Sequence, residues 1–227
     1  FKTINKKMII VAIDETNFLK ASEILNNLDS KKCMIKIGSV AFNSIGREII
    51  YYAAEKGFDI FLDLKLHDIP NTVKKSIEGL SSLPIQMLTI HTSGGKDMMM
   101  AAMDAALGAN IKIFGVTVLT SLSNYDTDTI FQRTASEHVN KMLDLADAAH
   151  IDGIVCSPHE LKLVSNRKSL LSITPGIRLQ DSNDDQNRVM TPKEAIDLGA
   201  DYLVIGRPIT QSNNIKKSLN DIYESIQ

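Results

Sequence analysis

Along the whole chain, short apolar and β-branched runs alternate with amphipathic segments of helical period, and this alternation restricts the fold more than any other feature. Eight runs stand at 8–13, 33–37, 59–65, 87–91, 111–119, 153–156, 170–174 and 202–205. Each is followed by a segment whose apolar residues recur at helical spacing, at 16–29, 39–56, 70–82, 95–107, 134–149, 157–166, 192–199 and 211–226. Thr16, Ser39, Ser136, Ser157 and Thr191 lie near the starts of these segments, and Pro70, Pro158 and Pro192 suit first helical positions, where no N–H is needed. A strand that returns through a helix runs parallel to its predecessor. Eight such units in 227 residues close most simply into a (β/α)8 TIM barrel. An open doubly wound sheet is the competing architecture, but no Gly-x-Gly-x-x-Gly follows the first run.

The 44% hydrophobic content is enough for a full core, and no Pro/Gly/Ser-rich linker or compositional shift marks a boundary, so one domain over 1–227 is expected. A net charge of −2, from 25 basic and 27 acidic residues, argues against a nucleic-acid or membrane-surface partner, where a basic excess is expected. Cys33 and Cys156 both lie in apolar runs, which favours buried free thiols in a reducing compartment over a disulfide. Metal-ligand spacing is absent. The start, Phe-Lys-Thr-Ile-Asn-Lys-Lys-Met, is too polar for a signal peptide, no run reaches the roughly 18 apolar residues of a membrane span, and the missing initiator Met suggests a trimmed start. A cytoplasmic protein is expected.

Barrels of this kind carry their chemistry at the C-terminal ends of the strands. In order those ends offer Asp14, Lys36, Asp63 with Lys65, His91, Thr120, Ser157, Thr174 with Arg178, and Gly206 with Arg207, nearly all polar or glycine. The third is the most unusual. In Asp59-Ile-Phe-Leu-Asp-Leu-Lys-Leu-His-Asp-Ile-Pro-Asn-Thr72, Asp63 and Lys65 share one face of a strand, while Leu62, Leu64 and Leu66 share the other. Such a pair is either an ion pair at an exposed strand end or a pair held in a cleft for use, because burying charges costs several kcal/mol per ion unless they are matched. The convergence of the other polar ends favours the cleft.

Three further features bear on the site. Loops after strands seven and eight of barrels often bind phosphate, and here they hold Thr-Pro-Gly-Ile-Arg178 and Ile-Gly206-Arg207-Pro. The polar segment from Leu179 to Met190 reads as a lid, with Gln186 and Arg188 able to reach a phosphate on closure, or as a solvated loop. With Pro70 at the first helical position the cap falls on Ile69, which leaves the Asp68 carboxylate outside the helix and free to point elsewhere, with the Thr72 hydroxyl near the same end. Catalysis is assigned to no histidine: His91 reads as a structural or supporting group, and His138, His150 and His159 as helix-surface residues.

In this order the motifs resemble those of the orotidine 5′-phosphate decarboxylase family over nearly the whole chain. The most specific part is Asp63-x-Lys65-x-x-Asp68 with the Ile-Pro-Asn-Thr72 that follows. Val-Ala-Ile-Asp14, Lys36-Ile-Gly, His91-x-Ser-Gly-Gly, Val-Leu-Thr120-Ser, Val-Cys-Ser157, Thr-Pro-Gly-Ile-Arg178, Asp-Gln186-x-Arg188 and Ile-Gly206-Arg207-Pro support it. The resemblance implies a conversion of orotidine 5′-monophosphate to UMP and carbon dioxide, free of cofactor and metal, on a barrel that dimerises. It implies Lys65 as proton donor to C6, Asp63 facing the substrate carboxylate, and Asp68 with Thr72 reaching into the site of a partner subunit. Asp14 and Lys36 match ribose-contacting positions, Thr120 a pyrimidine-contacting one, and Arg178, Gln186, Gly206 and Arg207 positions around the phosphate and closing loop. A metal-dependent sugar-phosphate enzyme with the same Asp-x-Lys-x-x-Asp signature, and a non-catalytic nucleotide-binding barrel, are the alternatives.

Overall fold

The computed structural model describes residues 7–177 and 190–227. Eight parallel strands, β1 (Ile9–Ile13), β2 (Cys33–Gly38), β3 (Ile60–Leu66), β4 (Met87–His91), β5 (Lys112–Val116), β6 (Gly153–Val155), β7 (Leu171–Thr174) and β8 (Tyr202–Ile205), pair in sequence order. β8 pairs back onto β1, which closes the barrel. The (β/α)8 barrel expected from the alternation is the fold.

Period-two alternation sorts the strand residues into two cores. In β1, Ile9, Val11 and Ile13 pack outward against the helices, while Ile10 and Ala12 point inward. The inward set also takes Met34, Phe61, Met87, Phe114, Ile173, Tyr202 and Val204. Phe61 and Tyr202 both meet the Phe114 ring edge-on, with centroids 6.3 and 6.4 Å away, a favoured aromatic geometry. Gly153 makes room for them: a Cβ there would stand 2.5 Å from the Phe114 ring.

At the N-terminal mouth, side chains from the connections close off strand N–H groups. Asp152 accepts from the Ile113 N–H at 2.8 Å, Asp201 from the Ser172 N–H at 3.0 Å, and Gln86 from the Ile60 N–H. These bonds belong to stability and leave the opposite mouth for chemistry.

Pro70, Pro158 and Pro192 occupy first helical positions, and Ser157 and Thr191 are caps. Near 16 and 136 the caps are instead Asn17 and Thr134. The segment 39–56 is two helices, Ser39–Ile45 and Glu48–Glu55, because Gly46 at φ +83° ends the first. Helix Asn124–Phe131, outside the expected segments, follows β5 and is capped by Ser123 and Asp126 in a reciprocal box. β5 itself stops at Val116, short of the expected 119, because its neighbour β6 is only three residues long.

Candidate active site

Each inward series continues past the core into the C-terminal mouth. Two residues beyond Ala12 is Asp14, beyond Met34 is Lys36, beyond Phe61 is Asp63, beyond Met87 is Thr89, and beyond Val204 is Gly206. The pleat that fills the barrel therefore also delivers polar groups to the wall of one cavity, of about 320 Å³, with Thr89 buried behind that wall. Asp14, Lys36, Asp63, Lys65, Thr120 and Ser157 line it, and Gly206 with Arg207 forms another part of its wall.

Asp63 is the centre of the charge array, with only 8% of its surface exposed. Both its oxygens lie 2.9 Å from Lys65 Nζ, and Oδ2 is 3.5 Å from Lys36 Nζ. Lys36 Nζ also reaches Asp14 Oδ1 at 3.2 Å, so the charges alternate from the rim to the floor. Burial pushes the Asp63 carboxyl up, but the Lys36 and Lys65 ammoniums, with hydrogen bonds from Lys65 and Thr89, outweigh it. The net effect holds Asp63 below the usual carboxylate range and keeps it ionised. The pair at β3 is thus a cleft array and not an exposed strand-end pair.

Asp63 and Lys65 do not meet by simple alternation. The β3–β4 register shifts between Leu62 and Leu66, and Lys65 has φ +51°, the left-handed region. For a residue with a Cβ this conformation costs about 1–2 kcal/mol, and such strain persists only where the surroundings impose it. Leu64 and Leu66 still pack against the outer core, as alternation predicts. Gly38, opposite Asp63 in the β2–β3 ladder, keeps the space beside this array open: a Cβ there would fall 2.9 Å from Lys36 Nζ.

Asp68 and Thr72 are not brought to this cavity. Both are exposed and neither lines it. The cap of helix Pro70–Leu80 is Ile69, which stands 67% exposed, and the Asp68 carboxylate accepts only the neighbouring Ile69 N–H among the bonds of the described residues, at 2.7 Å. Arg178, Gln186 and Arg188, and the lid segment up to residue 189, lie outside the described residues.

The histidines divide. His91 stacks on His67 with centroids 5.3 Å apart and bonds Ser93 through Nδ1 at 2.8 Å. Burial, then His67 and Lys65, holds His91 below the ordinary imidazole range. His138 is a correction: it is buried, stacked at 3.7 Å on Phe131, and not on the helix surface. Its partner ring comes from the helix absent from the sequence reading. Cys33 and Cys156 are buried free thiols; burial, with Asp29, pushes Cys33 up to about 12. Burial, with Glu160, raises Cys156 too.

Thr89 was not among the expected site residues, although it follows Met87 in the inward series by the same step that places Lys36 and Asp63. The strand end, His91, drew the assignment instead. Among the described residues no three His, Cys, Asp or Glu side chains cluster as ligands for a metal ion, and no helix is long and apolar enough to cross a membrane.

A family model described as "Orotidine 5'-phosphate decarboxylase / HUMPS family" matches residues 7–222. A curated relative from Ehrlichia canis, named orotidine 5′-phosphate decarboxylase, is 45% identical over 221 residues, covering 96% of this chain and 97% of its own length. Another of that name, from Saccharophagus degradans, is 42% identical over 220 residues, covering 94% and 92%. The crystal structure of orotidine 5′-phosphate decarboxylase from Lactobacillus acidophilus matches with a TM-score of 0.86 at 32% identity, covering 98% of this chain and 100% of that one.

Proposed function

The chain belongs to the orotidine 5′-phosphate decarboxylase / HUMPS family, and from that premise we propose that Lys65 and Asp63 carry the decarboxylation of orotidine 5′-monophosphate to UMP. The reaction belongs to pyrimidine biosynthesis and is a carboxy-lyase reaction. The observation that carries the assignment to residues is the Lys65 ammonium held 2.9 Å from both oxygens of a buried carboxylate inside the cavity.

Loss of carbon dioxide from C6 leaves a carbanion with no adjacent group to delocalise it, so fixed charge must stabilise it. A cation already held in place by a buried carboxylate provides that stabilisation without reorganisation at the moment of reaction. Lys65 then gives its proton to C6 as general acid. Asp63 holds Lys65 and faces the substrate carboxylate. Repulsion between the two carboxylates is not sufficient by itself: like charges 4 Å apart interact by about 4 kcal/mol at an effective dielectric near 20, against barrier reductions of roughly 8–23 kcal/mol. Lys65 provides the largest part of the remainder, and binding energy at the ribose and phosphate holds the base against the array.

In this reading Asp14 and Lys36 contact the ribose and Thr120 the pyrimidine, while Gly206 and Arg207, with Arg178 and Gln186, bind the phosphate and its closing loop. No cofactor takes part. Asp68 and Thr72 act in the site of a second copy of the chain, so that a homodimer carries two shared sites. What supports this is their exposure beside an exposed Ile69 and their absence from the lining of their own chain's cavity. We further propose one catalytic domain over 1–227, acting in the cytoplasm, where the buried free thiols suit a reducing medium.

The deciding assay follows the absorbance of orotidine 5′-monophosphate with and without a chelator. Turnover unaffected by the chelator is the expected result. No turnover refutes the reading, and turnover lost with the chelator points to the metal-dependent branch of the family.

A further inference from the structure

Thr89 lies inside β4, fully buried, two residues beyond the core residue Met87. A hydroxyl without access to water must find its partners in the protein, and both capacities of this one are used at the charge array. Oγ1 donates to Asp63 Oδ1 at 2.9 Å and accepts the Lys65 backbone N–H at 2.9 Å. One atom therefore bonds to both residues assigned to the chemistry.

The local backbone explains why such a partner is needed. Leu62 pairs with Leu88 and Leu66 with Ile90, so two extra residues of β3 bulge out between these pairs. The Lys65 N–H lies within this bulge, and Lys65 is left-handed. The Thr89 hydroxyl supplies the acceptor that the interrupted ladder does not. Its proton then points to Asp63 Oδ1, leaving Oδ2 to face Lys36.

We propose that Thr89 is a positioning residue for the decarboxylation, its hydroxyl fixing the Lys65 backbone in the left-handed conformation and the Asp63 carboxylate in the orientation that presents both oxygens to Lys65 Nζ. The proposal rests on the reading of Lys65 as proton donor. Thr89 is fully buried and does not line the cavity, so it acts through its two neighbours. As a β-branched residue in a central strand it also has a purely structural role open to it, in which valine serves equally well. The two roles differ in what the hydroxyl does, and Thr89→Val isolates it.

The experiment compares wild type, Thr89→Val and Thr89→Ser for orotidine 5′-monophosphate turnover, UMP affinity, thermal unfolding and the pH profile of kcat/KM. Thr89→Val is expected to lower kcat about 10- to 100-fold, the range given by losing a hydrogen bond to a charged group, with UMP affinity within about 3-fold because the phosphate and ribose contacts stay. The groups facing Asp63 are Lys36 from β2, Lys65 from β3 and Thr89 from β4. Without the last, the acid limb of the profile moves to higher pH. Thr89→Ser restores the hydroxyl and recovers most of the lost kcat. If Thr89→Val does not fold, Thr89→Ala removes the same hydroxyl and is read against Thr89→Ser by the same measures. A hydroxyl-less variant with wild-type kcat and acid limb overturns the proposal, as does serine failing to rescue. A wild type that leaves orotidine 5′-monophosphate unchanged overturns the parent reading and this proposal with it; an active wild type tests this proposal alone.

Discussion

Replacing Asp63 with Asn should damage stability and turnover together, with a pH signature that identifies the cause. The carboxylate lies 2.9 Å from Lys65 Nζ and 3.5 Å from Lys36 Nζ. At an effective dielectric near 20 those distances correspond to about 6 and about 5 kcal/mol of gross attraction. Two corrections reduce the sum. Lys65 is 38% exposed, so solvent screens much of its share, and burying Asp63 costs several kcal/mol. Removing one member of a buried ionic cluster typically costs about 3–5 kcal/mol, and screening at Lys65 places this case at the lower end, about 3 kcal/mol. For a chain of this length that is about 6–12 °C in Tm. Asn keeps the shape and can still accept the Thr89 hydroxyl, so the loss reports the charge, and the two lysines are left to repel each other.

The sign of the pH dependence follows from the lowered Asp63 carboxyl. A group whose folded pKa is depressed contributes stability that is fully present above the unfolded value, near 3.9, and is lost as pH falls through the folded one. The Tm difference between wild type and Asp63→Asn should therefore stay constant from pH 7 to about 5 and close as pH drops below about 4. Thermal unfolding followed by circular dichroism across that range measures it. At pH 7 kcat should fall by at least about 100-fold, the scale of losing one preorganised electrostatic group, with UMP affinity much less affected. A Tm gap that persists unchanged to pH 3 would refute the account, since Asp63 would then not be the ionised partner of the two lysines.

Other outcomes follow from the same geometry. Lys65→Ala should abolish turnover while UMP binding, measured calorimetrically, survives; retained turnover would remove Lys65 from its role. Mixing inactive Lys65→Ala with inactive Asp68→Ala protein should restore about a quarter of wild-type activity if sites are shared in a two-fold dimer, since half the dimers are mixed and each carries one intact site; no recovery after subunit exchange would argue for sites built within one chain. Gly38→Ala should weaken UMP binding by about 10-fold or more by displacing Lys36 Nζ, because a methyl at the 2.9 Å contact demands movement. Asp152→Ala, at the opposite mouth, should lower stability by about 1–3 kcal/mol through the orphaned Ile113 N–H and leave kcat unchanged.

The strands were readable from the sequence because each is a short, mainly apolar and β-branched run, as buried parallel strands tend to be. The departures have local causes. The helix Asn124–Phe131 begins Asn-Tyr-Asp-Thr-Asp-Thr, a composition that reads as a polar connection, and its signal was the cap, Ser123 with Asp126 three residues on. Missing it also hid the burial of His138, whose apolar partner Phe131 lies on that helix. Within the cavity wall, Asp14, Lys36, Asp63, Lys65, Thr120, Gly206 and Arg207 all stand where strand-end reasoning put them. Thr89 is less legible because it is an uncharged residue flanked by Leu88 and Ile90, whereas the charges of Lys36 and Asp63 stand out in their apolar runs and His91 marks the end of β4. The left-handed Lys65 has no signature in Leu-Lys-Leu, because the conformation is imposed by the neighbouring strand.

The continuity between core and site has a consequence for how changes propagate. Phe61 belongs to the inward core and also lines the cavity, directly beneath Asp63 in the same series. Its ring is held by Phe114, which in turn is held by Tyr202 and fits only because residue 153 is glycine. Close-packed interiors transmit strain and do not absorb it. A change that shifts this ring set also moves the floor on which the charge array stands. The array has little room for such shifts, since it includes a left-handed lysine whose backbone N–H is bonded to the buried Thr89 hydroxyl. Substitutions in the inward core should therefore lower kcat more than their stability cost accounts for, whereas substitutions of equal cost in the outer core, between strands and helices, should not. The two cores differ in what rests on them.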